Sequence, residues 1–98
     1  MSINQELAAW YHRQCDGTWE HTYGITIETL DNPGWRVKID LVDTELTNHP
    51  FQTVERLEPE LTWLRCWVAD QSFHAAGGPE QLEEILHIFL DWAKTIPR

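Results

Sequence analysis

The chain has 98 residues, 42% of them hydrophobic and 23% charged, and 16 Asp and Glu stand against 7 Lys and Arg for a formal charge of -9. A chain of this length supports one core and one domain over residues 1–98, with no room for a second. Its acidic balance argues against the basic footprint that a nucleic-acid binder or a protein of anionic membranes needs.

Met1 to Glu6 lacks the basic and apolar regions of a signal peptide, and no apolar run approaches the roughly 20 residues of a membrane span. Cys15 and Cys66 lie far apart without CxxC spacing, which fits reduced thiols and a cytoplasmic location. Both read as small buried hydrophobes, with a Cys15 nucleophile beside His12 or His21 as the minor alternative.

The first element is a helix over residues 3–14. Ser2 and Gln5 form a possible capping box, and Leu7, Trp10 and Tyr11 share one face. Cys15-Asp16-Gly17 stops it, Gly17 suiting a left-handed terminus. Tyr23 to Leu30 alternates as a strand, with Tyr23, Ile25 and Ile27 on one side. Asp31-Asn32-Pro33-Gly34 reads as a type II turn, Pro33 fixing φ and Gly34 supplying positive φ. Trp35 to Leu41 is the return strand, its Trp35, Val37, Ile39 and Leu41 alternating with Arg36, Lys38 and Asp40.

Asp43 to Pro50 is a loop, and Phe51 to Glu58 a weak strand ended by Pro59. Thr62 to Asp70 is apolar on both faces, as in a central strand: Leu64, Cys66 and Val68 on one, Trp63, Arg65 and Trp67 on the other. Ser72 to Ala76 is a short last strand. Residues 79–95 form the closing helix, with Pro79 at the first helical position. Its apolar stripe is Leu82, Ile85, Leu86, Phe89, Trp92 and Ala93, while Glu83, Glu84, His87, Asp91 and Lys94 face away. The expected fold is α+β: an N-terminal helix, an antiparallel meander of four to five strands, and a C-terminal helix packed on the sheet.

Motifs of catalysis are sparse. His12, His21, His49, His74 and His87 form no tight metal pattern, and Glu84 with His87 offers two ligands without a third. Gly77-Gly78-Pro79 precedes a helix, but Glu80, Glu83 and Glu84 would repel a phosphate there. Glu20-His21 beside Trp19 is the one candidate acid-base pair. No catalytic, cofactor or metal site is therefore assigned, and the chain is expected to fold without cofactor or disulfide as a monomer or weak dimer.

The tryptophans and acids point to a binding surface instead. Trp35 and Trp92 sit on clean apolar stripes and read as core; Trp63 and Trp67, on a half-open face, double as interface anchors. Asp40, Asp43 and Glu45 lie in a stretch without Lys or Arg. They read either as a solubility device or as a surface complementary to a basic protein.

The runs Trp19-Glu20-His21-Thr22-Tyr23-Gly24, Thr29-Leu30-Asp31-Asn32-Pro33-Gly34-Trp35 and Ile39-Asp40-Leu41 resemble the bacterial immunity protein 53 family. Trp63, Gly77-Gly78-Pro79 and Phe89-Leu90-Asp91-Trp92 continue the similarity, which extends from Trp10 to Trp92. The family pattern falls on Trp19, Glu20, Tyr23, Asp31, Pro33, Gly34 and Trp35, most of which read as structural. The resemblance implies a cytoplasmic antitoxin of a polymorphic toxin system that binds and neutralises a cognate secreted toxin without turnover; the acidic surface, read separately, favours a basic toxin such as one of nuclease type. The expected partner surface comprises Glu20, Asp40, Asp43, Glu45, Trp63 and Trp67. The competing reading is a small enzyme or ligand-binding domain using Glu20, His21 and a tryptophan-lined pocket, and a third is an interaction module without a toxin.

Overall fold

The computed structural model describes residues 1–96. In chain order they form α1 (Ile3–Gln14), α2 (Trp19–Thr22), β1 (Ile25–Leu30), β2 (Gly34–Asp40), β3 (Val54–Arg56), β4 (Leu64–Ala69), β5 (Ser72–Gly77) and α3 (Leu82–Ala93), with a 3₁₀ turn at Glu60–Thr62 before β4. The α+β class holds: an N-terminal helix, a five-stranded antiparallel sheet and a C-terminal helix.

The strands lie in the order β1-β2-β5-β4-β3. The β1–β2 hairpin therefore meets the β3–β4–β5 run through its last strand. Trp35 stands opposite Gly77, Val37 opposite Ala75, and Ile39 opposite Phe73. The strand expected to be the short last one is thus the middle of the sheet. Its small side chains explain this position: a Cβ on Gly77 would lie 3.0 Å from Ile85 Cδ1 and 3.2 Å from Gln81 Cβ, so α3 packs directly on the strand end.

Period-2 alternation puts one set of strand residues under the helices. Val37, Ile39, Leu64, Cys66, Phe73 and Ala75 are buried together with Trp10 of α1 and with Ile85, Leu86, Phe89, Leu90 and Trp92 of α3. Edge-to-face aromatic pairs knit this layer, with centroid separations of 5.0 Å for Trp10–Phe89, 5.1 Å for Phe73–Phe89 and 5.0 Å for Phe51–Trp92. The segment from Leu41 to Thr53 crosses from β2 to the far edge strand. It buries Leu41 and Leu46 and is pinned by Trp92 Nε1 donating to Pro50 O at 2.8 Å.

Several local expectations are confirmed and several are corrected. The capping box is present: Gln5 N donates to Ser2 Oγ and Ser2 N to Gln5 Oε1. The strand expected from Tyr23 begins at Ile25, because a four-residue helix, Trp19–Thr22, precedes it. Asp16 Oδ1 accepts the Thr18 and Trp19 amides at 2.9 Å and so starts that helix. Of the glycines, Gly17 is the one at positive φ, at 90°. Gly34 is not, and the Asn32–Pro33 peptide is cis, so the turn is not type II. Gly34 is required for another reason: any Cβ there would run into the Gly77 carbonyl oxygen. The closing helix starts at Leu82, not at Pro79, with Gln81 as its N-cap. The residues before it form a turn in which Gln81 N donates to Gly78 O at 3.1 Å. Trp35 is half-buried, whereas Trp92 is buried as expected and Trp10 and Trp19 are deeper still.

Candidate partner-binding surfaces

The six expected surface residues fall in separate places. Both Glu20 oxygens accept backbone N–H groups, Oε1 from Asp16 and Gly17 and Oε2 from Gly17. Hydrogen bonds from backbone amides, its own first and then those of Asp16 and Gly17, hold this carboxyl below the usual range. It clamps the α1–α2 corner, while the neighbouring His21 is exposed. Neither residue lines any of the three cavities described below.

Asp40 ties β2 to β5 and to the residue that precedes β1. Its Oδ2 accepts the Gly24 amide at 3.0 Å, and its Oδ1 accepts the Ser72 hydroxyl at 3.1 Å. Glu45 reaches back to α1, where Oε1 accepts Trp10 Nε1 at 2.9 Å and Oε2 accepts Gln14 Nε2 at 3.1 Å. Asp43 and Glu45 are both exposed and outside the ion pairs among the described residues, but Asp43 alone of the three also makes no side-chain hydrogen bond there, and it sits in a left-handed conformation with φ 60°. Trp63 and Trp67 sit beyond the other end of the loop's strand: Trp63 precedes β4 at the Gly34/Gly77 end of the sheet, and Trp67 lies within β4 on the helix-free face. The structure does not gather the six into one patch.

The indole N–H groups sort the tryptophans. Trp10 donates to Glu45, Trp19 to Val42 O, Trp35 to Pro79 O and Trp92 to Pro50 O, at 2.8–2.9 Å. Among the described residues Trp63 and Trp67 have no such acceptor, and no buried side-chain nitrogen or oxygen lacks a partner. Their N–H groups therefore face solvent or whatever binds there.

The helix-free sheet face is electrically balanced. Arg36 pairs with Glu28 at 3.4 Å, Lys38 with Asp40 at 3.9 Å and Arg65 with Glu55 at 3.2 Å. Trp67 stacks on His74, its partner in the register, at a centroid distance of 5.4 Å and 16°. The Arg65 guanidinium lies 4.6 Å from the Trp67 ring centroid, a cation–π contact. On the other side of the sheet, Arg56 makes a bidentate pair with Glu84, 2.8 Å to each oxygen, and also donates to Thr62 O. Glu84, expected to face away, is thus bound into the fold. The Arg56 hydrogen bonds, followed by one from Gln81, hold its carboxyl below the usual range. Lys94 pairs with Glu6 at 2.7 Å. These five pairs use every Lys and Arg between residues 14 and 96.

The described residues line several surface cavities, of which three are informative. One of about 200 Å³ lies between α1 and α3, beside Met1, Arg13 and Lys94. A wide groove of about 400 Å³ separates α1 from the edge strand β1. The third, about 190 Å³, is a recess where the β1–β2 turn, the 3₁₀ turn and the β5–α3 turn converge; Asn32, Pro33, Glu60, Leu61, Trp63 and Pro79 line it. Sequence reasoning missed this recess, although residues 57–64 and 77–84 contain no Lys or Arg. Among the described residues no three His, Cys, Asp or Glu cluster as metal ligands. Cys66 is buried, and burial pushes its thiol up to about 12; Cys15 is half-buried with its Sγ directed at Tyr11 O, 3.4 Å away. Among the described residues no helix is long and apolar enough to cross a membrane.

Among the described residues this small α+β scaffold pairs each Lys and Arg after residue 14 internally, while the indole N–H groups of Trp63 and Trp67 have no acceptor and several exposed carboxylates have no ion pair. The family model of immunity protein 53 matches residues 4–94, nearly the whole chain, and the chain belongs to that family. Neither a curated protein nor a solved structure matches it significantly.

Proposed function

We propose that this chain is an antitoxin that binds a cognate secreted toxin of a polymorphic toxin system and neutralises it stoichiometrically in the cytoplasm, without catalysis. Membership of the immunity protein 53 family over residues 4–94 carries the reading. The charge of -9 favours a basic toxin, and a nuclease-type domain fits that requirement because it must itself attract phosphates. Asp43, exposed and free of an ion pair, is suited to steering the encounter; Asp40, Glu45 and Glu20 serve mainly to hold the fold that presents it. Trp63 and Trp67 are the indoles available as anchors.

The test is co-expression with the toxin encoded beside this gene. Expression of the toxin alone arrests growth, joint expression restores it, and the two purified proteins form a stable complex of one copy each. Persistent arrest on co-expression, together with the absence of a complex, would overturn the proposal. Salt separates the finer reading: association with a basic toxin slows as ionic strength rises and slows further in Asp43→Lys.

A further inference from the structure

We infer that the toxin docks on the end of the sheet around Trp63 and Leu61, and that the recess there receives a single cationic side chain, arginine or lysine, from the toxin. The assignment of the occupant rests on the antitoxin reading; the chemistry of the recess does not. Its lining joins a tryptophan with an unengaged indole N–H, two prolines, a leucine and the Glu60 carboxylate. At about 190 Å³ it is smaller than the roughly 300–1,000 Å³ of small-molecule sites. A long side chain with an aliphatic stem and a charged head matches it: the stem lies against Leu61 and the prolines, the head meets Glu60 and the Trp63 ring.

The surroundings choose the same partner. Leu61 is 70% exposed and Leu57 60%, two free aliphatic side chains on the segment that joins β3 to β4. Glu60 lines the recess, and Asp31, Glu58 and Glu80 lie within two residues of its lining in sequence; all four are exposed and none is in an ion pair among the described residues. The nearest cation in sequence, Arg56, is turned onto Glu84 and Thr62 O. An apolar centre with a purely acidic rim is complementary to a basic protein surface carrying one protruding cation. Trp67, by contrast, already holds Arg65 and His74 against its ring on the charge-balanced face.

Two measurements test this separately from the antitoxin reading. In the first, protein labelled with ¹⁵N is titrated with argininamide, and with citrullinamide as the neutral isostere, following the six indole N–H resonances. The Trp63 signal is expected to move saturably with argininamide only, and Glu60→Gln to abolish the response. No shift, an equal shift at Trp67, or an equal response to citrullinamide would overturn the recess. In the second, the toxin encoded beside this gene is titrated with wild type, Glu60→Lys, Leu61→Ser and Trp67→Ala. The first two variants are expected to weaken binding about 30-fold, the size of one interface hot spot, and Trp67→Ala to change it by less than about threefold. Tight wild-type binding that Glu60→Lys and Leu61→Ser leave unchanged would overturn the docking site while sparing the antitoxin reading. Absence of wild-type binding beside an intact argininamide response would overturn the antitoxin reading, and the toxin docking with it, while sparing the cation-binding recess. Glu60 and Leu61 are exposed, so the melting temperatures of the Glu60→Lys and Leu61→Ser variants are expected to stay near wild type.

Discussion

Gly34→Ala is the substitution at which two physical explanations for one glycine part company. A need for positive φ would make alanine strained and asparagine tolerable, because asparagine enters the left-handed region more readily than other residues. Collision makes asparagine at least as harmful as alanine. In the structure Gly34 opens β2 and is buried, and a Cβ would overlap the Gly77 carbonyl oxygen while lying 3.4 Å from Asn32 Oδ1. The obstacle is backbone, paired in register between β2 and β5, so it cannot rotate away. Overpacking of this kind costs about 1–3 kcal/mol. At about 2 kcal/mol the melting temperature of a domain this size falls by about 8–16 °C. Two other glycines serve as controls. Gly24→Ala meets nothing within 4 Å and has no positive φ, so it is expected to be neutral or to stabilise by up to about 1 kcal/mol through the unfolded state. Gly17→Ala also meets open space but sits at φ +90°, and is expected to cost about 1–2 kcal/mol, much of it restored by Gly17→Asn. Urea unfolding followed by circular dichroism ranks the five variants. Gly34→Ala within about 0.5 kcal/mol of wild type, or Gly34→Asn milder than Gly34→Ala, would refute the collision.

Glu45→Lys is expected to destabilise by about 1–2 kcal/mol, because it strands the fully buried Trp10 indole N–H, whereas Asp43→Lys should stay within about 0.5 kcal/mol; equal effects in chemical denaturation would count against the Trp10–Glu45 bond. Acid should weaken the fold in part through Glu84. Its carboxyl titrates lower in the folded state than unfolded, so its stabilisation is complete above the unfolded value near about 4.3 and is lost as pH falls through the folded value. The melting-temperature gap between wild type and Glu84→Gln should therefore be widest near neutrality and narrow toward pH 3, and a gap independent of pH would contradict the assignment.

Local signals were legible wherever a local cause decides the structure. The Ser2/Gln5 box, the β1–β2 alternation and the Ile85–Phe89–Trp92 stripe each express a constraint contained within one element. The pairing of β2 with β5 is a different kind of fact. It depends on which strand end can come close to α3, and Gly77 meets that demand from more than 40 residues along the chain. The helix α2 escaped because four residues carry no period; its signature was the pair Asp16 and Glu20, whose oxygens collect the amides at the corner. The candidate surface was half legible. A strand apolar on both faces marked Trp63 and Trp67 as more than core, and their free indole N–H groups agree with that. Glu45 misled because its partner Trp10 is 35 residues away, and a carboxylate in a cation-free loop looks the same in sequence whether or not a distant indole holds it.

The distribution of charge carries the last step. A chain with a charge of -9 repels itself on compaction, and fully dispersed carboxylates would minimise that cost. The fold instead pairs Arg36, Lys38 and Arg65 on one sheet face, leaving Asp31, Glu58, Glu60 and Glu80 without counter-ions among the described residues, toward the end where Leu57 and Leu61 are exposed. Solubility alone accounts for negative charge but not for its coincidence with free leucines, since exposed apolar side chains work against solubility. The docking surface proposed for a basic partner would account for both together: the carboxylates would draw the partner in over a distance set by salt, and the apolar centre with Trp63 would govern how long it stays.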